Sequence, residues 1–282
     1  MAETIARSRF AEKDAEEVAR AYLSWYRRLR VGCVVAAVAL GAGTLAGIFV
    51  LNSWTLYLLG LFVLICMGVF VRRRVSREFQ TLVDIINVDC DVEKWRGVIE
   101  RIREHDLRRR RSRELCECYL ALADLEELRP ADALARMDGL NFGRRSIMNV
   151  MLFQNRAVCA NELGDDALRD ASLAALRELT ASYRSGSKRR ALAERQLADV
   201  ELSFKPREAW GAADEERARE RCEAAPSHRE SVSWALLLAE RALVMGDAAA
   251  ARELLDESVL APMTPRASQR RDNLLARCRQ PL

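Results

Sequence analysis

Forty-one consecutive residues, Val31 to Val71, contain no Asp, Glu, Lys or Arg. Two apolar runs, 31–51 and 54–71, are interrupted only by Asn52 and Ser53. At ~1.5 Å per helical residue, each run is long enough to cross a hydrocarbon layer of roughly 30 Å, the second with little to spare. A soluble core has no need of so long an uncharged stretch. The sequence therefore predicts a transmembrane helical hairpin with a tight turn at Asn52-Ser53.

The flanks orient this hairpin. Arg27, Arg28 and Arg30 precede the first run, and Arg72, Arg73 and Arg74 follow the second. Residues 1–74 hold ten basic and five acidic side chains, whereas residues 75–282 hold 35 and 36, so the positive excess lies beside the apolar segment. Basic residues stay on the cytoplasmic side, where anionic headgroups attract them, which puts both termini in the cytoplasm of a multi-pass membrane protein. The remainder of the chain has no basic excess, and that weighs against nucleic acid as a partner. No ionisable group lies inside either run, which counts against transport or proton relay. Gly43 and Gly47 form a G-x-x-x-G that permits close helix approach. A short turn forces the two runs together, so packing inside the hairpin is the favoured use of these glycines and homo-oligomerisation the alternative.

Residues 1–30 lack Gly and Pro, and Ile5, Phe10, Val18, Tyr22 and Leu29 recur at roughly helical spacing. This predicts a retained cytoplasmic amphipathic helix, too long and too acidic for a signal peptide. From Val75 onward amphipathic helical segments alternate with breaks, and no strand-like alternation persists. Helices are predicted over 75–88, 91–105, 112–128, 131–138, 146–163, 165–181, 188–204, 207–223, 229–245, 248–259 and 266–279. The expected fold class is all-α, with the membrane hairpin at 31–71 followed by a cytoplasmic helical-repeat domain over 75–282. Its helix–turn–helix junctions align at positions 90, 129, 164, 205 and 246, spaced 39, 35, 41 and 41 residues apart. Paired helices repeated at such a period stack into a solenoid; an irregular helical bundle is the alternative.

Trp234–Pro265 carries Ala239 in its first helix, Gly246-Asp247 at the turn, Ala251 and Leu255 in its second helix, and Pro262 near its close. In these positions it resembles a tetratricopeptide repeat. Asn155–Leu179 is similar, with Ala157 and Gly164-Asp165 in register, but Arg169 stands at the small position of its second helix. Trp95, Leu134 and Trp210 occupy that position in the other units. The chain thus resembles membrane-anchored bacterial tetratricopeptide-repeat proteins. The resemblance implies that first-helix residues line a concave groove for a partner protein segment. In this register those positions are Gln154, Asn161, Arg195, Asp199 and Glu240.

Catalytic signatures are missing: there is no G-x-x-x-x-G-K-[ST], G-x-G-x-x-G, H-E-x-x-H or G-x-S-x-G. Two histidines and eight scattered cysteines form no recognisable nucleophile–base or zinc spacing. The run Leu107–Arg113 reads as a solvated loop, with anionic lipid contact and then nucleic-acid contact as the sharper alternatives. No catalytic residue, cofactor or metal site is expected. The expected function is a membrane-anchored scaffold or adaptor at the cytoplasmic face of a bacterial inner membrane. The second expectation is a subunit of an oligomeric membrane complex assembled through the hairpin.

Overall fold

The computed structural model describes residues 7–51, 54–105 and 110–279. These residues form helices joined by turns and short loops, with no strand among them. Two helices dominate the N-terminal part: α1 (Ala15–Leu51) and α2 (Trp54–Leu82) pair along the apolar segment. Both are long and apolar enough to cross a membrane. Their large side chains face outward, Phe49 86%, Trp54 78% and Phe70 64% exposed, which water would penalise and lipid would not. The Asn52-Ser53 turn lies outside the described residues.

The glycines sort themselves by what faces them. A methyl group on Gly60 would collide with Thr44, and one on Gly47 would meet Leu56 at 3.0 Å, so these two glycines set the close approach of α1 and α2. Nothing lies within 4 Å of the corresponding position on Gly43. The G-x-x-x-G motif is therefore split: Gly47 packs inside the hairpin and Gly43 faces away.

Helix α1 starts later than expected. Residues 7–14 turn instead of coiling, and Asp14 caps α1 by accepting from the Glu17 amide at 2.7 Å. The turn drops Phe10 into a core with Val18, Ala19, Trp95, Val98 and Ile99. Ile5 lies outside the described residues. Helix α2 runs without a break past Arg72–Arg74 to Leu82, so both spans continue directly into the helical domain.

The domain follows as α3 (Asp84–Asn87), α4 (Val92–His105), α5 (Arg110–Glu126), α6 (Pro130–Met137), α7 (Met148–Leu163), α8 (Asp166–Ser182) and α9 (Lys188–Phe204). Then come α10 (Ala212–Glu223), α11 (His228–Val244), α12 (Ala248–Leu254), α13 (Glu257–Leu260) and α14 (Pro265–Arg277). The expected helix over 207–223 breaks into a short 3₁₀ turn at Arg207–Ala209 followed by α10, because Arg207 turns back to bond the carbonyls of Leu202, Ser203 and Lys205. The expected helix over 248–259 divides at Asp256, which caps α13.

The repeated junctions have a common backbone device. Cys90, Leu128, Gly164 and Gly246 all take left-handed φ values, 53°, 64°, 72° and 81°. After three of them the next amide bonds a carbonyl five residues back: Arg129 to Asp124, Asp165 to Ala160, Asp247 to Ala242. This is the helix-ending geometry for which glycine is the favoured residue, so Leu128 holds it at a conformational cost. At 205 the pattern lapses, and Lys205-Pro206 runs extended.

An open stack of helix pairs keeps its two ends apart. Here the ends meet. Helix α14 returns to α5, and α11 reaches α3. At the seam lies Glu126, a fully buried carboxylate: its Oε1 accepts from Arg229 Nη1 at 2.9 Å, its Oε2 from Thr264 Oγ1 at 2.8 Å, and Arg266 Nη1 stands 3.9 Å away. Arg229 also donates to Asn87 Oδ1 at 3.1 Å, and Arg266 Nε to Glu162 Oε1 at 2.6 Å. Burial pushes the Glu126 carboxyl up, but the two guanidiniums and the threonine hydroxyl outweigh it and hold it below the usual value.

Glu126→Gln removes the shared counter-charge of the half-buried Arg229 and Arg266 and should destabilise the fold by about 3 kcal/mol in urea denaturation of the full chain. The folded pKa lies below the unfolded one, so this stabilisation is complete above the unfolded value and lost as pH falls through the folded one. Acid should therefore weaken the natural protein more than the Gln variant, whose denaturation midpoint should stay flatter below neutral pH.

Candidate functional site

The closed path of helices leaves a central cleft of 770 Å³. Its walls come from α5, α7, α9, α11 and α14, while α4, α6, α8, α10 and α12 contribute nothing to the lining and stand outside. Side chains three or four residues apart share a helix face, which explains the stripes. Helix α7 presents Gln154, Val158 and Asn161; α9 presents Gln196, Val200 and Ser203; α14 presents Arg266, Gln269, Arg270, Asn273 and Arg277.

Six carboxylates and six cations line the cleft, and most of them neutralise one another. Asp199 is salt-bridged to Arg221 at 2.7 Å and Arg217 at 3.0 Å, and Glu230 binds Arg221 at 2.7 Å. Lys205 turns out to Asp214 at 2.6 Å. Glu240 draws three guanidiniums: Arg270 at 2.9 Å, Arg207 at 3.0 Å and Arg277 at 3.8 Å. Burial raises the Glu240 pKa, but Arg270 and Arg207 win and keep the carboxyl below its ordinary value. A wall with its charges spent in this way has no strong field for a polyanion or a polycation.

What is left unspent is amide. The sequence has only twelve Asn and Gln residues, and six of them line this cleft: Gln154, Asn155, Asn161, Gln196, Gln269 and Asn273. None of the six side chains bonds another group among the described residues, and Asn155 Nδ2 is buried without any partner. Elsewhere Asn87, Asn141 and Asn149 are all engaged, with Arg229, the Gly143 amide and the Gly143 carbonyl respectively. Interleaved with the free amides are Met151, Val158, Phe204, Trp234 and Leu237, which give the cleft apolar recesses.

No protein-family model, curated protein or solved structure matches this chain. The chemistry of the cleft therefore has to be read from its own side chains.

Of the five groove residues expected from sequence, Gln154, Asn161, Asp199 and Glu240 lie on the cleft wall, and Arg195 points away from it into solvent. Asp199 and Glu240 are structural partners of arginines on neighbouring elements. Sequence reasoning missed Asn155, Gln196, Gln269 and Asn273. The signal that could have found them is scarcity, since a chain with so few carboxamides spends half of them at helical spacing on a few segments. The membrane-flanking residues Arg27, Arg28, Arg30, Arg72, Arg73 and Arg74 all remain exposed beside the apolar helices. Arg108 and Arg109 lie outside the described residues.

Three buried thiols are not poised for chemistry. Burial pushes Cys90, Cys118 and Cys159 up to about 12, far from a reactive thiolate at neutral pH. Among the described residues no group of His, Cys, Asp and Glu side chains could hold a metal ion.

An unpartnered buried amide is a standing energetic loss. Asn155→Leu should therefore leave stability unchanged or raise it by about 1 kcal/mol, read as a higher thermal midpoint, whereas the same change at the engaged Asn149 should lower it.

Proposed function

We propose that this protein is a membrane-anchored, non-catalytic adaptor that holds an extended segment of a partner protein in its central cleft. The observation that supports the reading best is the set of six uncommitted carboxamides. Each presents a donor and an acceptor on one planar group, the complement of a peptide unit, which likewise offers one N–H and one C=O. Apolar recesses between them suit alternate side chains of an extended chain. The neutralised walls suit neither a phosphate backbone nor a strongly charged ligand.

The apolar pair α1–α2 is the anchor in this reading, and the Arg27–Arg30 and Arg72–Arg74 flanks put the domain on the cytoplasmic face of a multi-pass protein. A repeated helix–turn–helix ancestry of the tetratricopeptide kind fits the shared junction geometry at Leu128, Gly164 and Gly246. In this reading the closed seam at Glu126 would be where such an array curls back on itself.

Photo-crosslinkers at neighbouring positions test the cleft. Incorporated at Gln196, which faces it, a crosslinker should capture a protein in the producing cell; at Arg195, which does not, it should capture none. The Gln196 crosslink should fall several-fold with Asn161→Leu and Gln269→Leu. Equal capture from both positions, or capture indifferent to those changes, would overturn the reading. Topology is tested with Ser185→Cys, in the exposed loop after α8. It should react with a membrane-impermeant maleimide only once the cytoplasmic side is opened. Cys278 cannot report, because it is buried.

A further inference from the structure

A second cavity, of 280 Å³, lies between α1 and α4 and is separate from the central cleft. The two helices run in the same direction: Gly97 abuts Ala15, and the α4 end at Arg101 and His105 reaches the stretch of α1 between Arg20 and Arg27. The end of α4 therefore points toward the uncharged segment. Arg27 is four residues before Val31, about 6 Å along the helix, and Arg20 about 16 Å. The lower end of this cavity is thus at the level where a bilayer around 31–71 would place its headgroups.

Its walls suit an amphipathic anion. Three guanidiniums, Arg20, Arg27 and Arg101, face it against the single carboxylate of Glu16, which is already bonded to Arg20 at 2.9 Å. Among the described residues the one acidic partner of Arg101 is Glu104, at 4.0 Å. The excess positive charge is thus toward the membrane end and the acidic group away from it. His105, whose Nδ1 bonds the Arg101 carbonyl at 3.1 Å, also lines the cavity. Leu23 supplies an apolar wall, and the Ser24 hydroxyl is committed to the Ala21 carbonyl.

We propose that this cavity binds the phosphate of an anionic phospholipid headgroup. Arg27 and Arg101 hold the phosphate, and Leu23 packs on the glycerol and upper acyl carbons. Basic residues at a bilayer surface favour anionic lipids, and a walled cavity turns a diffuse preference into one retained molecule. This rests on α1 and α2 lying in a bilayer, which flotation of the full chain with vesicles under alkaline carbonate reads independently.

The test uses full-length protein from nanodiscs of phosphatidylcholine with a minority of phosphatidylglycerol, and native mass spectrometry of the lipid it retains. One phosphatidylglycerol per chain is expected, with no phosphatidylcholine. Occupancy should fall about tenfold in Arg27→Gln/Arg101→Gln. Ser24→Trp, at an exposed site, fills the cavity without changing charge and should lower occupancy similarly. Arg72→Gln/Arg73→Gln removes equal charge at the other flank and should leave occupancy intact. Unchanged retention in the two cavity variants would overturn the proposal, as would equal loss in the control pair, which means diffuse charge. Displacement by inorganic phosphate in the buffer would overturn the lipid as its source. Protein that still floats but retains no lipid sinks the cavity alone and leaves the membrane reading standing.

Discussion

A carboxylate sealed from water has to be neutralised where it stands, and Glu126 is that carboxylate. Its neighbour Asp124 is equally buried and is held by Arg96, Arg129 and Arg136. Residues two apart on a helix face opposite ways, so the two acids serve opposite sides of α5. Asp124 ties the helix to α4 and α6, its neighbours in sequence. Glu126 ties it to α11 and α14, which arrive more than a hundred residues later. Helix α5 is thus the hub at which local pairing and ring closure are reconciled. The cleft exists because both sets of ion pairs are satisfied at once.

The helices were largely legible because amphipathic periodicity and caps are local properties. Asp165, Ser187, Ser227, Asp247 and Thr264 each accept from a backbone amide at the start of a helix, a device that needs only the residue and its next turn. Four of the five aligned junctions share the left-handed turn, even where Cys90 and Leu128 stand in for glycine, and the one at 205 does not. The N-terminal turn was not legible. Phe10 fits a helical stripe as well as it fits a core, and only packing against Trp95 and Ile99 decides between them. Ring closure was invisible too. Nothing near Glu126 in sequence announces Arg229, Thr264 or Arg266, and every acidic residue in a chain with 41 has some arginine within reach.

The candidate cleft was half legible, and its errors are instructive. Register placed Gln154 and Asn161 on the inner face because α7 is regular. Register also chose Arg195 over Gln196, a one-residue slip that rotates a side chain by about 100° around the helix axis. Helix α14 contributes a full stripe to the cleft, yet it belongs to no helix pair in the aligned register. It lines the wall only because the chain closes, so the amides at Gln269 and Asn273 could not be placed before that closure was known.

Helix α1 runs unbroken from Ala15, inside the packed core, to Leu51 at the far end of the apolar segment. Helix α2 does the same in reverse, and neither has proline or a kink-forming break at the junction. Two parallel struts clamped in one body resist both bending and twisting where a single flexible tether would resist neither. The helical domain is therefore joined to the apolar pair by two continuous helices. On the proposed reading, a segment lodged in the cleft would be held at a fixed distance from the bilayer, which would make the molecule a gauge as well as a grip.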